Sequence, residues 1–191
     1  SPGQHPGRAP TLDLLGEWVA PPELWGAPDA KMQWSRGDSN PGELILTYDA
    51  GTQYGAGINI FGPLTSRLAH GPDFATDLDG YSATIVLDAT APKGLQLNIV
   101  LAEAGAAPPS TPMFDTSAGD DGEGYVSIPL VGEGTRHTYR LPIAGLFKQK
   151  FFGNQSGAQR IDMQAVRNLG IQASGSPQQG RIVVHGFRLE R

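Results

Sequence analysis

The segment at residues 95–103 (LQLNIVLAE) has leucine or isoleucine at every second position and smaller or polar residues at most of the positions between. Successive side chains of a β-strand point to opposite faces of a sheet, so this period of two predicts a strand with one buried face. Residues 81–88 (YSATIVLD) repeat the pattern. Further strand-like runs lie at residues 43–49, 56–61, 125–130, 135–141, 169–173 and 181–189. The chain therefore predicts at least eight short strands.

Turn-forming residues separate these runs. The chain has 26 glycines and 16 prolines, together 42 of its 191 residues, which favours strands joined by many turns. Only residues 143–150 (IAGLFKQK) and 162–166 (DMQAV) indicate helix. We predict an all-β fold, an antiparallel two-sheet β-sandwich of the jelly-roll kind with one or two short helical turns. Residues 12–191 form one domain in this interpretation, and residues 1–11 are a linker or the cut edge of a longer chain.

Composition argues against several classes of function. There is no cysteine, so neither disulfides nor thiolate metal sites occur. The net charge of −5 is spread thinly, which predicts no nucleic-acid partner. No apolar run approaches the roughly 20 residues of a membrane helix. The serine-nucleophile signature G-x-S-x-G is missing. No metal-binding spacing relates the four histidines, which are His5, His70, His137 and His185.

Carboxylates gather in two loops. The first is GPDFATDLDGY, with Asp73, Asp77 and Asp79. The second loop leads into the stretch GDDGEGYVSIPL at residues 119–130 and includes its first residues. The acidic residues of this loop are Asp115, Asp120, Asp121 and Glu123. A calcium ion needs about six or more oxygens, and neither loop has the EF-hand pattern, so residues 77–80 are better explained as a polar turn. The alternatives for the second loop are a solvated turn at Asp120, a sugar-binding carboxylate, or a hydrolase pair of Asp121 and Glu123 about 7 Å apart along the strand.

Polar and aromatic side chains suggest a sugar-binding groove. Gln96 and Asn98 lie on the less apolar side of a strand, where they either line a groove or face solvent. Aromatic rings stack on the C–H faces of sugars while amides and carboxylates bind the hydroxyls. Trp18 and Trp34 alternate with apolar neighbours and are interpreted as packing residues. The aromatic residues in turn-rich regions are Trp25, Trp34, Tyr48, Tyr54, Tyr125, Phe151 and Phe152.

Three landmarks carry a resemblance to a known family. They are Asp-Gly-Glu at residues 121–123 before a strand, Leu-Pro at residues 141–142, and the closing strand GRIVVHGFRLE at residues 180–190. In order and spacing, roughly residues 43–191 resemble the family 11 carbohydrate-binding modules. These are galactose-binding-like β-jelly rolls attached to bacterial enzymes that degrade plant polysaccharides. The resemblance implies that mixed-linked or β-1,4-glucan binds in a concave cleft.

The resemblance also implies roles for individual residues. By position, Tyr54 and Phe152 are stacking aromatics and Asp121 accepts a hydrogen bond from a sugar hydroxyl. A basic residue of the family falls near Gln149, which has lysines on both sides. Asn154 and Gln155 suit either sugar hydroxyls or a capped turn. The full set of candidate ligand-binding residues is Tyr54, Asn98, Asp121, Glu123, Tyr125, Gln149, Phe152, Asn154 and Gln155.

The sequence departs from the family at three positions. Gly124 replaces an expected histidine, Ala173 a tyrosine, and His185 the closing-strand aspartate associated with calcium. The structural calcium that the family implies as a cofactor therefore stays open. We expect a non-catalytic module that targets a secreted glycoside hydrolase, outside the cell or in the periplasm, to β-glucan. The alternative is a structural or interaction jelly roll that packs on a catalytic domain and binds glycan weakly or not at all.

Overall fold

The computed structural model describes residues 11–16, 18, 21–39, 42–61, 75–106 and 116–191. Residues 1–10 of the predicted linker lie outside these ranges, as do His70, Asp73 and Asp115; His5 belongs to the linker. Thr11 ends the predicted linker but already lies in the first strand. Within the described part of the chain, no helix has the length and the apolar composition needed to cross a membrane.

Two antiparallel sheets make up the described chain. The strands of the first sheet are β1 (Thr11–Asp13), β3 (Lys31–Arg36), β4 (Leu44–Asp49), β6 (Thr84–Thr90), β10 (Arg136–Pro142) and β13 (Gln179–Glu190). The strands of the second sheet are β2 (Glu23–Gly26), β5 (Ala56–Phe61), β7 (Gln96–Glu103), β8 (Glu123–Val126), β9 (Leu130–Val131), β11 (Phe147–Gly153) and β12 (Val166–Ser174). The first sheet has the order β10-β6-β13-β4-β3 with β1 beside β13, and the second has the order β11-β8-β7-β12-β5-β2 with β9 beside β7. The predicted two-sheet antiparallel fold is confirmed.

The core lies between the sheets, where the period-two pattern predicts it. Leu97 and Ile99 of β7 are fully buried, as are Ile85 of β6 and Leu189 of β13. Each such side chain contributes about 1.5–3 kcal/mol of transfer free energy relative to an exposed one. The neighbours of Leu97 and Ile99 along β7 turn to the other side of the second sheet. That outer face is where the candidate site lies.

The two predicted helical segments are confirmed only over one short turn. In residues 143–150 only Ile143–Gly145 forms a turn of 3-10 helix, and Phe147–Gly153 is the edge strand β11, paired with β8. Residues 162–165 form a turn, and β12 begins at Val166. A helix of two turns is marginal by itself, whereas phenylalanine-rich residues at an open sheet edge gain interstrand hydrogen bonds. Two other 3-10 turns occur in the described chain, Asp79–Tyr81 and Thr116–Ala118.

Strands β1, β2 and β3 come before the first run that the sequence predicted. Trp34 of β3 and Trp18 meet edge to face, with 5.5 Å between ring centroids, and both pack against the core. The Arg36 guanidinium lies 4.2 Å from the ring centre of Trp18. The prediction that these two tryptophans are packing residues is confirmed.

Candidate functional site

A cavity of about 270 Å³ opens on the outer face of the second sheet, and we call it the cleft. Its floor is built by every second residue of the central strands. Val100 and Ala102 come from β7, and Asn168 and Gln172 from β12. The strand register pairs Asn168 with Ala102 and Gln172 with Asn98, so these side chains share one face. The floor therefore combines apolar groups with side-chain amides.

One wall of the cleft is formed by β2 and β5. The Trp25 indole lies over Gly57, where a Cβ atom would come within 2.2 Å of the ring. Its Nε1–H donates to Asn59 Oδ1 at 3.2 Å, and Asn59 Nδ2 donates to Glu23 Oε1 at 3.5 Å. Glycine at position 57 thus makes room for the indole, and Asn59 fixes its orientation.

The loop before β5 carries a second aromatic ring. Tyr54 is 43% exposed, and its hydroxyl donates to the Gly26 carbonyl at 3.2 Å. Its own carbonyl accepts from Gln172 Nε2 at 2.5 Å. The loop is further held by Thr52, which donates from its backbone N–H and its hydroxyl to Asp29 Oδ2. These bonds from Thr52 hold the pKa of Asp29 below its ordinary value.

The opposite wall comes from β11. In the strand register, Lys148 lies opposite Tyr125 and Gly153 lies opposite Glu123. An advance of five residues along β11 therefore matches an advance of two residues along β8. The extra residues form a bulge, residues 149–152, that brings Gln149 and Phe152 to the cleft. The ring centroids of Phe152 and Tyr54 are 6.2 Å apart at an interplanar angle of 66°.

Asn154 and Gln155 shape this bulge. Gln155 Nε2 donates to the carbonyls of Gln149, Phe152 and Gly153 at 3.0–3.1 Å. Asn154 Oδ1 accepts from the backbone N–H and the hydroxyl of Ser156. These polar groups bind their own loop, which favours the capped-turn alternative for both residues.

Glu123 and Tyr125 are a correction to the predicted site. Tyr125 borders the cleft, but its ring is only 1% exposed and belongs to the core, and its hydroxyl donates to the Ala158 carbonyl at 3.3 Å. Glu123 pairs with the buried Lys148 ammonium. Gly124 pairs with Ala102 of the floor, so Gly124 turns to the cleft and both of its neighbours turn inward.

The inward-facing residues form a polar cluster at one end of the core. Lys148 Nζ donates to Glu123 and to the carbonyls of Ser156 and Ala158. Glu103 lies beside them, 8% exposed, and accepts a hydrogen bond from the Asp162 backbone N–H. Burial, together with the neighbouring Glu123 carboxylate, raises the pKa of Glu103 to about 7. We call Glu103, Glu123, Tyr125 and Lys148 the acid–lysine cluster.

Asp120 and Asp121, in the loop before β8, also lie apart from the cleft lining. The Asp121 side chain accepts from the Ala106 backbone N–H at 2.7 Å and is exposed. Asp120 is only 3% exposed and lies 3.8 Å from Arg167, so the interpretation of Asp120 as a solvated turn residue is wrong. Both carboxylates organise the turn that leads into β8.

The structure therefore gathers part of the predicted set. Tyr54, Gln149 and Phe152 line the cleft. Asn98 lies on the same face next to Gln172, and its Nδ2 donates to the Ser127 carbonyl at 2.9 Å. Sequence reasoning missed Glu23, Asn59, Asn168 and Gln172. Asn59 and Gln172 each stand between apolar residues of a strand, the same signal that singled out Asn98.

Among the described residues, no group of three or more His, Asp or Glu side chains is arranged to hold a metal ion. At the position associated with calcium, the His185 ring contacts the Glu43 carboxylate and the Thr90 hydroxyl. Calcium prefers hard oxygen ligands, and an imidazole does not fit that preference. The calcium prediction has no support at this position.

No protein-family model and no curated protein sequence matches this chain. Solved structures do match it, among them carbohydrate-binding modules and an agarase. The family 11 carbohydrate-binding module of the cellulosomal cellulase Lic26A-Cel5E of Clostridium thermocellum aligns with a TM-score of 0.63 and 15% identity, over 95% of this chain and 94% of that chain.

A second structure, of a family 11 module from Clostridium thermocellum in complex with a β-1,3-1,4-mixed-linked tetrasaccharide, aligns with a TM-score of 0.62 and 14% identity over the same shares of the two chains. The agarase AgWH50C aligns with a TM-score of 0.51 and 11% identity, over 94% of this chain and 24% of that chain. The chain thus has the fold of the family 11 carbohydrate-binding modules, and the resemblance predicted from sequence is confirmed at the level of structure.

Proposed function

We propose that this chain is a non-catalytic carbohydrate-binding module that holds a β-glucan, mixed-linked or β-1,4, in the cleft. The observation that carries the proposal is the composition of the lining. The rings of Trp25, Tyr54 and Phe152 face a floor with the amides of Asn168 and Gln172. Rings stack on the C–H faces of a pyranose, and amides both donate to and accept from its hydroxyls.

The charge of the lining favours a neutral glycan. Among the described residues that line the cleft there is no lysine, arginine or histidine, and Glu23 is the one carboxylate. A sugar acid or a sulfated glycan would lack a cation to pair with its negative group. Glycoside hydrolases use two carboxyl groups that flank the scissile bond, so this lining favours binding over hydrolysis.

The proposed biological role is targeting. A module tethered to a secreted glycoside hydrolase, outside the cell or in the periplasm, raises the local concentration of that enzyme on the polysaccharide without any new catalytic contact. The family 11 fold, and the mixed-linked tetrasaccharide bound to one structural neighbour, support the choice of β-glucan.

Calorimetry against barley β-glucan, xyloglucan, laminarin and soluble cellulose derivatives tests the proposal. We expect binding to at least one glucan, weakened at least about tenfold, or about 1.4 kcal/mol, by Trp25→Ala because one stacking ring is lost. Phe151→Ala is the matched control, since Phe151 is 86% exposed and is not among the residues that line the cleft. Absence of binding to every glucan would refute the proposal.

Exposed apolar side chains on the outer part of the second sheet favour the alternative, an interaction module. Phe147, Phe151 and Ile128 are 57%, 86% and 52% exposed. Large exposed apolar groups are common at protein interfaces. In this alternative the chain packs on a neighbouring domain, and Phe147→Ser would weaken that association while Trp25→Ala would leave any glycan retention unchanged.

A further inference from the structure

The contact between Tyr54 and Phe152 joins opposite sides of the cleft. Tyr54 precedes β5 by two residues, and Phe152 belongs to β11. Strands β8, β7 and β12 lie between β11 and β5 in the sheet. Residues from these three strands, among them Gly124, Val100 and Gln172, line the same cavity as the two rings. The two rings therefore form an aromatic bridge across the floor.

Both sides of the aromatic bridge are braced. On the Tyr54 side, the hydroxyl is bonded to Gly26 and the backbone to Gln172. On the Phe152 side, Gln155 binds three carbonyls of the bulge, including that of Phe152 itself. Lys148 then fixes the stretch that follows by binding the carbonyls of Ser156 and Ala158. Moving either backbone segment to open the bridge would break several of these hydrogen bonds at once.

A bridged cleft restricts how a polymer can enter. The middle of a long chain can settle sideways into an open groove, but beneath a bridge only an end can be inserted. The cavity volume of about 270 Å³ is at the lower limit of ligand pockets, about 300–1,000 Å³. It therefore has room for a short stretch of sugar units only.

We propose that the cleft recognises the ends of neutral β-glucan chains rather than their interiors. This inference rests on the proposed function, because it names the part of the glucan that the same cleft holds. Trp25 provides a stacking surface in the same cleft, and the amides of Asn168 and Gln172 bind the hydroxyls of the inserted sugars.

The test compares one soluble β-glucan before and after partial hydrolysis, at equal mass concentration, by calorimetry. Cutting each chain into about ten pieces, still many sugars long, raises the number of ends about tenfold. We expect the number of binding sites per gram to rise about tenfold at unchanged Kd. An unchanged number of sites per gram would show that interiors bind and would overturn the inference while leaving the proposed function intact. Binding to neither preparation would overturn both.

Phe152→Ala removes one ring of the bridge without touching the core. We expect intact β-glucan to offer this variant at least several-fold more binding sites per gram than it offers the wild type. The number of sites per gram should then no longer depend on hydrolysis of the glucan, and each site should bind more weakly. Phe151→Ala, at the adjacent exposed position, should retain the dependence on chain ends. If the number of sites per gram for Phe152→Ala still rises with the number of chain ends, the role assigned to the bridge is overturned.

Discussion

Glu103 should make the stability of this fold fall as the pH rises from about 4.5 to about 7. Its carboxyl is 8% exposed, and burial raises its pKa from the ordinary 4.5 to about 7. The groups around it are the Glu123 carboxylate, the Tyr125 hydroxyl and the Asp162 backbone N–H and carboxylate. The Lys148 ammonium pairs with Glu123, and burial keeps the neighbouring Glu103 carboxyl protonated.

The sign follows from proton binding. Between pH 4.5 and about 7 the folded chain holds a proton on Glu103 that the unfolded chain has released, so stability decreases as the pH rises. The contribution is fully present below the unfolded pKa and is lost once the pH exceeds the folded pKa. At about 1.4 kcal/mol per pH unit, the interval from 4.5 to about 7 corresponds to about 3 kcal/mol. Carboxylates with lowered pKa, such as Asp88 and Asp49, act below this window.

Urea unfolding followed by tryptophan fluorescence, at half-unit steps from pH 4 to pH 8.5, measures this effect. Glu103→Gln keeps a side-chain oxygen for the Asp162 N–H but cannot ionise. We expect the free energy of unfolding of the variant to exceed that of the wild type by about 3 kcal/mol at pH 8, with the difference shrinking toward pH 4.5. Titrating groups that do not interact with Glu103 cancel in the comparison. A difference that does not change with pH would refute the reasoning, whatever its size.

Two further changes test the acid–lysine cluster and the cleft. Lys148→Met leaves the Glu123 carboxylate, whose side chain is 14% exposed, without its partner ammonium, and should lower the free energy of unfolding in urea titrations by about 3 kcal/mol. Adding Glu123→Gln to this variant should recover part of the lost stability. If nothing is recovered, the pairing of Lys148 with Glu123 is contradicted. Gly57→Ala places a Cβ atom about 2.2 Å from the Trp25 ring and should displace the indole. We expect a shift of the tryptophan emission and a loss of glucan affinity of at least about tenfold. Retention of full affinity would show that Trp25 is not a stacking residue.

The sequence predicted the fold because eight strands carry their own period-two signal. Leu97 and Ile99 show how direct this signal is, since both lie in the core as the alternation requires. It failed at residues 147–153, where the edge of β8 decides the conformation. A short segment with three phenylalanines has no strong preference of its own, and the hydrogen bonds offered by a partner strand are invisible in the sequence.

The site was predicted less completely, and the reason is strand parity. Because side chains alternate, a register shift of one residue exchanges the side chains that reach the cleft with those that face the core. At the Asp-Gly-Glu stretch the pairing of Gly124 with Ala102 turns Glu123 and Tyr125 inward and leaves Gly124 on the cleft side. Tyr54 and Phe152 line the cleft from a loop and a bulge, where this alternation does not apply.

The two faces of the same strands therefore carry different properties. On β7, Glu103 faces the acid–lysine cluster while its neighbour Ala102 faces the cleft. On β8, Glu123 and Tyr125 face the cluster and Gly124 faces the cleft. The acidic residues that drew attention in the sequence thus act mainly on folding, and the amide and aromatic residues act on binding. Since amides and rings of tryptophan and phenylalanine do not titrate, a pH change from 5 to 8 that alters stability should leave the contribution of these groups to glycan binding unchanged. Stability and binding can be separated in this way because the sheet puts the acid–lysine cluster and the cleft on opposite sides.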